Sequence, residues 1–120
     1  MKTLKLKAIH RILAVGLVES KGRDGGSLTE QSQMFKLVDK LNLTEDERKK
    51  MDVRLEDSQL KWQTVGKDGE ILDTEVEIEL SDDGFKMLRE ILKDRSDKKE
   101  IKMVEAQPLI ELAAQLNLEV

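Results

Sequence analysis

Apolar and polar residues alternate at the start of the chain. Leu4 and Leu6 fall on one side of Thr3–Lys7, Lys5 and Lys7 on the other, and this period of two predicts a short half-buried strand. Helical spacing follows. Ile9, Ile12, Leu13, Gly16 and Leu17 predict a helix over about 8–20, with Gly22 where the chain leaves it and a Gly-rich loop from Lys21 to Ser27. Ser27 and Glu30 form a capping box, which opens a helix over 28–41 with Met34, Leu37, Val38 and Leu41 inward. Thr44 and Glu47 repeat that signature and predict a short helix over 45–51. Met51, Val53 and Leu55 then recur at every second position, which predicts extended chain.

Two further alternating stretches matter for the sheet. Leu60, Trp62 and Thr64 share one strand face. Val76, Ile78 and Leu80 share another, with Glu75, Glu77 and Glu79 opposite. Gly66-Lys67-Asp68-Gly69 lies between them. A two-residue Asp68-Gly69 turn sets Trp62 across from Glu75 and mixes apolar side chains into the carboxylate face. A three-residue loop with Gly69 left-handed pairs Gly66 with Glu70, Trp62 with Thr74 and Leu60 with Val76. A slip of one residue turns every side chain over, so parity selects the three-residue loop. The basic strand at 3–7 matches the acidic strand in alternation, and setting them side by side places lysines across from glutamates. The predicted architecture is α+β: one domain over 1–120, with a small three-stranded antiparallel or mixed sheet and 71–80 in its middle. About four helices cover one face of that sheet.

Ser81 caps the next helix, with Asp82 and Asp83 at its positive end and Phe85, Leu88, Ile91 and Leu92 as its stripe to about Arg95. A last helix is predicted from Pro108, with Leu109, Leu112, Ala113 and Leu116 inward.

Composition narrows the chemistry. The chain has no Cys and one His, so it lacks thiolate chemistry and any site that needs two imidazoles. The expectation is therefore no catalytic residues, no metal and no cofactor. The longest apolar run, Ile12 to Val18, is too short to span a bilayer. Lys2, Lys5 and Lys7 ahead of it imitate a signal peptide, but His10 and Arg11 interrupt the run and no small-x-small site follows. A cytoplasmic protein without a membrane partner is expected.

Charge is uneven within a net charge of -4. The first 23 residues hold six basic side chains against one acid, while residues 70–84 hold seven acids and no base. His10 reads as a surface helix residue with no visible catalytic partner. The loop from Gly22 to Gly26 lacks the Gly-Lys-Ser/Thr of a phosphate loop, and Asp68-Gly69 departs from the EF-hand pattern at its second position. The helices at 28–41 and 45–51 imitate a helix-turn-helix, but the second opens on Glu45-Asp46-Glu47, which repels phosphates and disfavours direct nucleic-acid binding.

The candidate acidic interaction face is Glu75, Glu77 and Glu79, continued by Asp82 and Asp83. Alternate strand residues lie about 6.6–6.8 Å apart, broadly the spacing of successive phosphates. Two readings follow. The row is the polar face of a small sheet neutralised by Lys5 and Lys7, or it imitates a nucleic-acid backbone and inhibits a DNA-binding enzyme.

Leu43-Thr44-Glu45-Asp46-Glu47, Lys61-Trp62, and Glu77-Ile78-Glu79-Leu80-Ser81-Asp82 ahead of an amphipathic helix form a recognisable series. Over about residues 41–95 it resembles short uncharacterised proteins encoded in tailed-phage and prophage genomes. The resemblance implies a phage-type context and carries no catalytic motif. The expectation that results is a small non-enzymatic protein acting through protein–protein contacts or self-association.

Overall fold

The computed structural model describes residues 1–119. In chain order the elements are β1 (Lys2–Leu6), α1 (Ala8–Arg23), α2 (Leu28–Leu41), α3 (Glu45–Lys50), β2 (Arg54–Glu56), β3 (Gln59–Lys61), β4 (Val76–Leu80), α4 (Asp82–Asp97) and α5 (Met103–Gln115).

The α+β class is observed. The basic and acidic strands pair as their alternation requires: β1 runs antiparallel to β4, with Leu4 across from Ile78, Lys5 from Glu77 and Thr3 from Glu79. Leu4, Leu6, Ile78 and Leu80 all turn inward and are buried. Beneath them α1 packs against α2, α4 and α5. Ala14, Leu17 and Val18 of α1 join Met34, Leu37, Leu41, Leu88, Leu92, Leu109 and Leu112 in one core. Gly16, placed on the apolar stripe by spacing, faces solvent instead.

The capping residues act as the sequence implies. Ser27 Oγ accepts from Glu30 N–H at 3.1 Å, Thr44 Oγ1 from Glu47 N–H at 3.1 Å, and Ser81 Oγ from Gly84 N–H at 3.0 Å.

The sheet differs from expectation in one respect. Among the described residues there is no three-stranded sheet; two separate two-stranded sheets form, β1–β4 and β2–β3, alongside five helices. The three-residue loop is present: Gly66 N–H donates to Glu70 O at 2.8 Å, and Gly69 has φ +77°. Its ladder extends to the Val65–Ile71 bridge and to Leu72 N–H donating to Thr64 O at 2.8 Å. There Leu72 and Asp73 both turn into the protein and are buried, which takes the chain off the hairpin before β4 begins. Gln59–Lys61 meanwhile pairs with Arg54–Glu56 across the two-residue turn Asp57-Ser58. Pairing Leu60 with Val76 would need the ladder of the second hairpin to continue past Leu72, and the inward turn of Leu72 and Asp73 ends it there.

The last helix also starts earlier than Pro108. It begins at Met103, and Lys102 N–H donates to Glu105 Oε1 at 3.3 Å. Pro108 lies inside it, so the intrahelical partner of Val104 C=O is missing. Val104 is exposed.

Candidate functional site

Three buried polar residues that the apolar pattern does not explain, His10, Arg11 and Asp73, each make a separate contact around the beginning of α1. His10 is 7% exposed, in contrast to the surface position expected from sequence. Lys7 N–H donates to His10 Nδ1 at 3.0 Å, and His10 Nε2 lies 3.0 Å from Glu111 Oε1. The network assigns the neutral tautomer with the proton on Nε2. Both ring nitrogens are thereby engaged, one by backbone and one by α5. Asp73, the third member, accepts the Ala8 N–H.

Arg11 is 3% exposed. Its Nε donates to Leu41 O at 2.9 Å and its Nη2 to Asn42 O at 2.6 Å, filling acceptors left over at the end of α2. Nη1 and Nη2 reach the Glu47 carboxylate at 2.5 and 3.1 Å. Glu47 also accepts Thr44 N–H at 2.9 Å, so the capping box of α3 and the ion pair share one carboxylate. Burial pushes the Glu47 carboxyl up, but hydrogen bonds from Arg11 and Thr44, with the Arg11 charge, outweigh it and hold the group below its ordinary value. These contacts fasten α1 to the α2–α3 link.

The acidic residues singled out from the sequence are all exposed. Glu77 has Lys5 as its cross-strand neighbour and Glu79 has Thr3. Asp82 Oδ1 lies 3.4 Å from the Met1 amino group, while Asp83 sits beside it in the first turn of α4. Glu75 is placed apart from the other four, in an open groove with Lys5, Lys7, Trp62, Val65 and Ile71. The row is therefore interleaved with basic groups at Lys5 and Met1.

The feature that sequence reasoning missed is the β2–β3 hairpin. Asp57 and Ser58 have φ +50° and +65°, the signs of a tight two-residue hairpin turn. Glycine is the usual marker of that turn, and its absence hid the signal; Asp tolerates the left-handed region without it. The remaining clue was Leu55 and Leu60 placed symmetrically about Asp57-Ser58. Those leucines face each other across the strands at 72% and 40% exposure. Arg54 Nη1 pairs with Asp52, and its Nε with Glu56 at 2.6 Å; Lys61 Nζ lies 3.5 Å from Glu56. The hydrogen bond from Arg54 holds the Glu56 carboxyl below its ordinary value.

The base of this arm is anchored and its length is not. Ala8, Leu43, Met51 and Leu72 form a small buried cluster, on which Ile12, Val53 and Trp62 pack half-buried. Gln63 N–H donates to Met51 O at 2.6 Å. Beyond that, Arg54, Leu55 and Gln59–Lys61 are exposed.

A second apolar feature lies elsewhere. The groove between α4 and α5, about 560 Å³, is lined by Leu92, Leu109, Ile110 and Leu118, with Arg89 and Lys93 on the α4 wall. Among the described residues no three carboxylate or imidazole groups converge as a metal site, and no helix is long and apolar enough to cross a membrane.

No family model, curated protein or solved structure matches the chain.

Proposed function

We propose that the chain is a small, non-enzymatic protein-interaction module acting in the cytoplasm, and that its docking element is the β2–β3 arm. One observation carries this reading: a hairpin with exposed, directly opposed leucines projects from an anchored base. An isolated two-stranded hairpin is marginal in water. Its ion pairs are exposed and contribute little. A leucine pair kept on such an arm gains its free energy when a partner covers it. The contacts of His10 with Lys7 N–H and Glu111 have a structural use, since they fasten the start of α1 to α5. In the phage-type context implied by the resemblance over residues 41–95, such a module serves assembly. Lys5 opposite Glu77 interrupts the negative row, which favours contacts between proteins over imitation of nucleic acid.

The test compares the wild-type chain with Leu55→Ser/Leu60→Ser as bait in host lysate, both checked by circular dichroism. Loss of specific capture by the double variant, with amide-exchange protection over residues 54–61 in the wild-type complex, is the expected result. Equal capture by both baits, or protection elsewhere only, overturns the assignment.

A further inference from the structure

We infer that the arm docks on the arm of a second copy of the chain, β2 against β2 in antiparallel register, so that two hairpins form one four-stranded sheet. The inference rests on the reading of the arm as the docking element. The register follows from the backbone. Asp57-Ser58 is a two-residue turn, so Glu56 and Gln59 close the hairpin as a hydrogen-bonded pair. Alternation then leaves no hydrogen bonds between Leu55 and Leu60, and the N–H and C=O of Leu55 point away from β3. Val53 N–H is taken by Arg48 O at 2.9 Å, so Leu55 is the residue through which the outer edge of β2 can add a strand. Two copies related by a two-fold axis exchange N–H to O=C bonds between their Leu55 residues.

That register decides which side chains meet. Arg54 of each copy lies across from Glu56 of the other, and Leu55 lies across from Leu55. Asp52 comes opposite Ser58 and Val53 opposite Asp57, so no like charges are directly opposed. Asp57 arrives beside the last turn of α3, which carries Arg48, Lys49 and Lys50. Within one arm Arg54 already pairs with Asp52 and Glu56, and Lys61 with Glu56. The second copy adds a carboxylate beside each Arg54 and a guanidinium beside each Glu56. The two leucine pairs join into one row across four strands. Other pairings lack this match. Through the outer edge of β3, Gln59 would face Lys61; in a parallel pair of β2 strands, Arg54 would lie beside Arg54. A lone hairpin is marginal, and a sheet of more strands is not.

Sedimentation of the purified chain between about 30 µM and about 1 mM, the range in which a contact this small registers, tests the inference. Wild type should go from monomer to dimer and stop there, since a two-fold contact closes. Arg54→Glu alone and Glu56→Arg alone set like charges across the contact, and each should associate at least about tenfold more weakly. Mixed in equal amounts, they should dimerise at least as readily as wild type, because each carboxylate then meets a guanidinium. If either variant loses its arm, amide exchange of the wild type reads the contact without substitution: protection of Leu55 N–H should rise with protein concentration, and that of Leu60 N–H should not. A wild type that stays monomeric, a single variant that dimerises like wild type, a mixture of folded variants that stays monomeric, or protection that rises at Leu60 in place of Leu55 overturns the inference. Arm-dependent capture from lysate by a chain that is monomeric when pure removes this partner and leaves the docking role of the arm intact.

Discussion

The Asp73 carboxylate accepts the backbone N–H of Ala8 at 2.7 Å, so the first turn of α1 is capped by a residue 65 positions further along the chain. Lys7, at the cap position, makes no side-chain cap of its own. The carboxylate also lies at the positive end of the helix dipole. Its burial explains why the chain turns inward after Leu72 and why the second hairpin stops there.

Asp73→Ala should lower stability by about 1–3 kcal/mol, through the lost cap and an orphaned buried N–H. Asp73→Asn keeps an acceptor and should lose about 1 kcal/mol or less. Urea denaturation measures both. Equal midpoints for wild type and Asp73→Ala would remove the cap from the account of this fold.

Arg11→Met should cost about 2–4 kcal/mol, because Leu41 O and Asn42 O lose their donors and Glu47 its counter-ion. Arg11→Lys should recover little, since an ammonium cannot reach three acceptors in the guanidinium fork. Thermal midpoints of the two variants, close together and well below wild type, are the expected outcome.

Glu47 gives the fold an acid-sensitive component. Its carboxyl is below its ordinary value of 4.5 in the folded protein, so its stabilisation is complete above the unfolded value and is lost as pH falls through the folded one. Glu47→Gln should be less stable than wild type at neutral pH. The gap should narrow as pH falls below the ordinary value of 4.5. A gap that does not narrow on acidification contradicts the assignment.

Lys5 and Glu77 face each other on the exposed side of β1–β4, and an exposed pair of this kind contributes about 0.2–1 kcal/mol. Lys5→Glu with Glu77→Lys should restore most of what either reversal loses, and high salt should shrink the coupling. A double-mutant cycle at low salt that shows no coupling counts against a neutralised acidic face.

Trp62 reports on the arm. It is half-buried on the small cluster with Met51 and Leu72, outside the main core. Trp62→Ala should therefore cost about 1–3 kcal/mol, less than a fully buried aromatic. Its main effect should be faster amide exchange over residues 51–63, with the β1–β4 amides unchanged. Global loss of helical signal would place Trp62 in the main core instead.

Much of the fold was legible because its signals are local. The capping residues Ser27, Thr44 and Ser81 each act on a backbone group three residues away. Gly69 sets its turn through its own φ. Leu4, Leu6, Ile78 and Leu80 face inward by a period of two that needs no knowledge of the partner strand. The exposure of Glu75, Glu77, Glu79, Asp82 and Asp83 follows from the same alternation and from their position at a helix start.

Other features depended on competition or on distant partners, and only the tertiary structure decided them. Gln59–Lys61 had two possible neighbours, and it pairs with Arg54–Glu56 because the inward turn of Leu72 and Asp73 ends the other hairpin before β4. His10, Arg11 and Asp73 are polar residues in positions where periodicity expects solvent or core. Each is buried because a particular partner, Glu111, Glu47 or the Ala8 amide, supplies the hydrogen bond that replaces water. Hydrophobic patterning says which faces turn inward. It carries no information about which buried polar groups will find each other across 36, 65 or 101 residues of chain.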